Sequence, residues 1–183
     1  SDPTRYALYG SNELLSWGDA GWRQIAQGAT DLPETRNVSR SVSFDNSLSF
    51  KYYKLVYTEL RPVMVSAQAS PDAVMPGGEG VEKAIDGSLS SKYLNRNKVD
   101  AGMLITLSSE SVVQSLTLTT GNDAADRDPM RYVLLGANSE LEWADASWTQ
   151  IATGQTGLST ARKAANTVSF ENSQSFKYYK LVL

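Results

Sequence analysis

The chain repeats part of itself, and that repetition limits what it can fold into. DPTRYALYGSNELLSWGDAGWRQIAQG at Asp2–Gly28 matches DPMRYVLLGANSELEWADASWTQIATG at Asp128–Gly154. SVSFDNSLSFKYYKLV at Ser41–Val56 meets TVSFENSQSFKYYKLV at Thr167–Val182. The offset, Asp2 to Asp128, is a constant 126 residues, and over half of the aligned positions are identical. The stretch from about Arg61 to Arg127 has no earlier partner. A whole repeat therefore reads as 62–183, with an N-half at 62–127 and a C-half at 128–183. Residues 1–61 read as a C-half alone, the end of a preceding repeat.

A piece of about 60 residues buries a small share of its surface and is marginal by itself. If its strands normally pair with an N-half, it also exposes unpaired edges. One N-half cannot complete two C-halves, even by exchange between identical chains. Two expectations stay open here. The chain is a window on a longer tandem array, or residues 1–60 dock on the N-half as a circular permutant and displace 128–183.

Cys and His are both absent from the 183 residues. Disulfides and Cys/His zinc sites are excluded, as is any catalytic system that needs a His base. The net charge of -3 is mixed along the chain. That argues against nucleic acid, whose binders carry a basic stripe. No apolar run approaches the length of a membrane span. Carboxylate chemistry and oxygen-ligated calcium remain open. No two carboxylates are placed across a cleft at glycosidase spacing, so no catalysis is expected.

Short runs alternate apolar and polar residues, the period of a half-buried strand. RYVLL places Tyr132 and Leu134 on one face. SLTLTT turns Leu116 and Leu118 inward, and KYYKLVL sets Tyr179, Leu181 and Leu183 on one side. MLITL, WTQIA and TVSF complete the set. Loops rich in Gly, Asn, Asp and Ser separate them. This predicts an all-β fold, an antiparallel β-sandwich or jelly roll. One short helix is expected at EGVEKAID, with Val81, Ala84 and Ile85 on a shared face. NELLSW and SELEW are each expected to form a further turn.

Four features occur in order: a helical turn running into KAIDGSLSSKYLN, the strand VVQSLTLTTGNDAADRDP, RYVLLGANS…WTQIATG, and the closing FKYYKLVL. Together they resemble the discoidin-like, or coagulation-factor type C, superfamily, and among its members the bacterial family-32 carbohydrate-binding modules. The resemblance implies an eight-stranded jelly roll that binds ligands through loops at one end of the sandwich. It also implies a calcium ion at the AxDG loop, held by Asp86 and Ser91 side chains and by the carbonyls of Lys83, Ser88 and Ser91. Ser88 departs from the Asp or Asn usual there. A Glu that relatives use near the final strand has its counterpart at Glu59 of the first copy, and the second copy stops at Leu183.

Ligand-binding candidates follow from sugar chemistry, which needs multi-donor or multi-acceptor partners and an apolar ring face. GNDAADRDP at Gly121–Pro129 offers Asp123, Asp126 and Arg127, and KYLNRNK at Lys92–Lys98 offers Asn95 and Arg96 beside Tyr93 and Asn97. Trp143, in the polar loop ELEWADAS, is a candidate platform, although a plug at the core edge is the competing reading. Asp128 recurs as Asp2, which suits a structural role, and Tyr93 reads as core.

Two functions fit. One is a non-catalytic carbohydrate-binding or adhesion module of an extracellular or cell-surface bacterial protein, whose partner is a polysaccharide or glycan. The other is a structural repeat of an adhesin, fibre or sheath. In that case neighbouring repeats and head-to-tail self-assembly are the function.

Overall fold

Alternation decides the secondary structure: nearly every regular element of the computed structural model is a strand. The structure describes residues 2–33, 37–97 and 100–183. They divide into two units, Ser1–Arg61 and Pro62–Leu183.

The first unit holds β1 (Pro3–Ser11), β2 (Arg23–Ala29) and β3 (Tyr52–Leu60). They form one antiparallel sheet in the order β2-β1-β3. The second unit holds β4 (Met64–Ala69), β5 (Gly102–Ser111), β6 (Ser115–Thr119), β7 (Arg131–Ala137), β8 (Thr149–Gln155), β9 (Ala165–Ser169) and β10 (Phe176–Val182). Its large sheet runs β4-β5-β10-β7-β8, and β6 pairs with β9 in a separate ladder. Among the described residues this unit therefore has seven strands, not eight. The two sheets enclose one core. Met103, Leu107, Tyr132, Leu134, Tyr179 and Leu181 come from the large sheet, and Leu116, Leu118 and Val168 pack on them from the small one. This is an antiparallel jelly-roll sandwich.

Strand β10 lies at the centre. It pairs with β5 on one side, Tyr179 opposite Ile105 and Leu181 opposite Met103. On the other side it pairs with β7, Leu181 opposite Leu134. The N-half strand β5 is thus joined to 128–183, the opposite of the circular-permutant expectation. Tyr179 and Leu181 are 3% and 2% exposed, and the Tyr179 hydroxyl donates to the Ser111 carbonyl at 2.7 Å. Burial pushes that phenol up to about 12. Gly102 sits opposite Val182. A Cβ there would collide with the Leu181 carbonyl oxygen and lie 2.9 Å from the Trp143 ring, so the strand crossing demands glycine.

Two local expectations are corrected. The helix at EGVEKAID is a 3-10 turn, Val81–Ala84. Only Val81 is buried, and Ala84 is exposed. A tight turn eclipses its side chains every third residue and cannot present the wider apolar face of an α-helix. The turns expected at NELLSW and SELEW fall later, at Ser16–Asp19 and Glu142–Asp145. There Asp19 and Asp145 each close the turn by accepting the backbone N–H three residues before them. The edge strand β4 had no clear alternation to announce it. No helix among the described residues is long and apolar enough to cross a membrane.

The duplication gives an internal control on burial. Leu181 is 2% exposed, whereas its counterpart Leu55 on β3 is 47% exposed. Leu181→Ala should cost about 2–5 kcal/mol, the range for emptying a packed core position. Leu55→Ala should cost less than about 1 kcal/mol. Urea denaturation of the full chain, followed by Trp fluorescence, measures both.

Candidate functional site

Two loops of the second unit face each other across a cleft of about 360 Å³. The first runs from the 3-10 turn through Asp86 to Leu94. Gly87, at φ +71, reverses the chain where a side chain would be strained. Asp86 then organises the turn. Its Oδ1 accepts the Ser88 N–H at 2.9 Å and its Oδ2 accepts the Ser91 hydroxyl at 2.6 Å. These hydrogen bonds, with Lys83 Nζ at 4.0 Å, hold the carboxyl below its ordinary range.

The second loop, Gly121–Pro129, leaves the end of β6 and contains the 3-10 turn Ala125–Arg127. Arg162 pins it from the far side. Its guanidinium donates in a bidentate fork to both oxygens of Asp128 and also to the Asp123 carbonyl at 3.0 Å. A planar fork matched to a carboxylate fixes orientation as well as distance. Thr120, 4% exposed, adds a hydroxyl bond to the Ala161 carbonyl and accepts the Ala164 N–H.

An ion network ties the walls together. Asp123 Oδ1 accepts from Lys92 Nζ at 2.7 Å, and Oδ2 accepts from Arg127 Nη2 at 2.8 Å. Lys92 also reaches Glu79 at 3.4 Å. The Lys92 hydrogen bond is the main cause that lowers the Asp123 pKa, with Arg127 adding to it, and the same contact raises the Lys92 ammonium. The Arg127 and Asp123 side chains stay 43% and 49% exposed. They are held in place while keeping unused donors and acceptors toward solvent. Tyr93 also lines the cleft, with its hydroxyl donating to the Gly102 carbonyl at 3.1 Å.

The structure brings together only part of the predicted ligand set. Asp123 and Arg127 line the cleft. Asp126 sits exposed in the 3-10 turn and is not among the lining residues. Asn95 is committed to structure: Oδ1 accepts from Val74 and Asn97 backbone N–H groups, and Nδ2 donates to Ser70. Arg96 bonds Val74 through its backbone, and its exposed side chain lies outside the lining. Trp143 is half-buried and is not among the lining residues either. Its ring carries Lys180 Nζ at 4.7 Å from the centroid and packs against Gly102. The core-edge reading is the one this geometry matches. Lys98 lies outside the described residues.

Sequence reasoning missed Lys92 and Arg162. Nothing local marks Lys92, because its partner Asp123 is distant in the chain. Arg162 did leave a signal: the Asp128–Arg162 pair recurs in sequence as Asp2 and Arg36.

For a cation, the predicted side-chain oxygens converge, since Asp86 Oδ2 and Ser91 Oγ lie 2.6 Å apart. All the donors are oxygen, the chemistry calcium takes. Among the described residues no group of three acidic side chains gathers anywhere, so Asp86 would supply the one carboxylate.

The network has a pH signature. Asp123 titrates below its unfolded value, so its contribution is complete above about pH 4 and fades as pH falls through the folded pKa. Carboxyl-carbon NMR should place the Asp123 midpoint below the ordinary aspartate value. Asp128→Asn should speed amide exchange at Arg127 and Lys163, whose N–H groups bond within and across this loop.

No protein-family model and no curated protein sequence matches this chain. Solved structures do. The Clostridium perfringens module CpGH89CBM32-5, solved with GalNAc-β-1,3-galactose, superposes with a TM-score of 0.51 at 18% identity, over 64% of this chain and 81% of that one. The family-32 carbohydrate-binding module of C. perfringens NanJ, in complex with galactose, gives 0.48 at 16% identity over 67% and 87%. The CBM32-1 and CBM32-2 domains of C. perfringens ZmpB, with GalNAc, give 0.48 at 17%, where the match spans 65% of this chain and 30% of that one. The first unit is only a third of the chain, so a 64% match must extend well into Pro62–Leu183. The second unit thus has a jelly-roll fold like that of the module CpGH89CBM32-5.

Proposed function

We propose that Pro62–Leu183 is a non-catalytic carbohydrate-binding module and that glycan enters the cleft between the two loops. The observation that carries this reading is the Lys92–Asp123–Arg127 network. It holds two cations and an anion at fixed spacing on an open cleft, with an aromatic ring on its wall. Vicinal hydroxyls match such groups because each offers a donor and two acceptor lone pairs. The charges are already ordered by one another, so less side-chain entropy is lost when a sugar binds. A structure that shares this fold was solved with GalNAc-β-1,3-galactose, which supports galactose-type sugars as the first ligands to try. An extracellular or cell-surface setting follows from such a ligand.

A glycan array on the full chain tests the reading. Binding should weaken about tenfold or more in Arg127→Ala, as for loss of a charged hydrogen bond, and should be unchanged in Asp126→Ala. An empty array, or Arg127→Ala binding as well as the parent, removes this proposal.

Within the same reading Asp86 and Ser91 hold a calcium ion, which would fix the first loop. It would supply positive charge where Lys83 now stands near the carboxylate. Calcium should then raise the melting temperature and a chelator lower it, because a ligand that binds only the folded state stabilises it. Asp86→Ala should abolish the difference. Equal melts with calcium and chelator would dismiss the ion.

The duplication favours a second reading, a structural repeat of an adhesin, fibre or sheath. Filaments that grow with concentration in sedimentation or electron microscopy, with no glycan bound, would support it.

A further inference from the structure

The two C-halves share over half of their aligned residues and have very different surroundings. In the second unit, Tyr179 and Leu181 of β10 are covered on the β5 side by an N-half strand. Their counterparts on β3, Tyr53 and Leu55, are 56% and 47% exposed. Strand β3 pairs only with β1, so its other edge carries no strand among the described residues. The counterpart of β9 is the run Ser39–Ser43, which has the same apolar pattern and forms no strand. In the second unit β9 exists by pairing with β6, an N-half strand. Val42 and Phe44 accordingly stand 39% and 44% exposed. Trp17 is 67% exposed, while its counterpart Trp143 lies on Gly102 of β5. These differences fall where the second unit has an N-half strand and the first, among the described residues, has none.

We infer that the edge of β3 and the apolar face beside it are a docking surface for one occupant: an N-half of the Pro62–Arg127 type, joined directly ahead of Asp2 in the same polypeptide. Geometry sets its register. By analogy with β10, Tyr53 takes the residue equivalent to Ile105, and Leu55 the one equivalent to Met103. Trp17 requires glycine at the position equivalent to Gly102. A second copy of this chain fits less well, because its own β5 is already held between β4 and β10. An exposed apolar strand edge left open is also a route to aggregation, which a covalently linked partner removes.

The test is the full chain preceded by a second copy of Pro62–Arg127, with its Arg127 equivalent replacing Ser1. Amide exchange across Tyr52–Leu60 should slow by about tenfold or more relative to the unextended chain, the signature of a newly protected strand. Exchange across Ser39–Ser43 should slow with it, and binding of a hydrophobic dye should fall. Leu55→Lys should leave the melting of the unextended chain nearly unchanged, and should lower that of the extended chain by about 5 °C or more. Gly102→Val in the added copy alone should undo the protection. The inference is overturned if β3 exchanges equally fast with and without the extension, or if Leu55→Lys is equally harmless in both. It is also overturned if the unextended chain dimerises in sedimentation with β3 already protected, which would make a second copy the occupant.

Discussion

The second unit depends on the pairing of β10 with β5. It joins the last strand of the C-half to the N-half, and it sets Tyr179 and Leu181 between β7 and β5. Everything apolar in the core is arranged around that seam. The small sheet, β6 with β9, is a second seam between the same two halves. Each half supplies strands that the other half pairs, so neither buries its apolar face alone. The first unit shows the consequence: the residues that form the centre of a core at 179 and 181 are half in water at 53 and 55.

The same seams position the cleft. Strand β6 ends at Thr119 and delivers the Gly121–Pro129 loop, and the Asp86–Leu94 loop is carried across from the other side by Tyr93 and Lys92. Arg162 then locks the outer loop through Asp128, and Lys92 locks the two loops together through Asp123. Charge organises the site without occupying all of its hydrogen-bonding capacity.

Much of the strand framework was legible because period-two alternation is a local property. Tyr132 with Leu134, and Tyr179 with Leu181, were assigned to one face from sequence and are buried together. The edge strand β4 was not legible, since MVSAQA has small residues and faces water along much of its length. The EGVEKAID helix was overread because Val81, Ala84 and Ile85 match a helical face, whereas tertiary packing buries only Val81. At the cleft, Asp123 and Arg127 lie in the polar loop that the sequence singled out. Asn95 was chosen for the right chemistry, but its amide is spent on Val74, Asn97 and Ser70.

By itself the sequence determined the duplication, the all-β class, the faces of the strands and the absence of Cys or His chemistry, all of which depend on composition or on neighbours in the chain. Only the tertiary structure decided which halves pair, where Trp143 lies and which charges meet at the cleft. These depend on contacts between residues far apart in sequence, such as Lys92 with Asp123 or Arg162 with Asp128. The same strand is a buried centre in one copy and an open edge in the other, because burial is a property of what packs against a residue and not of the residue itself.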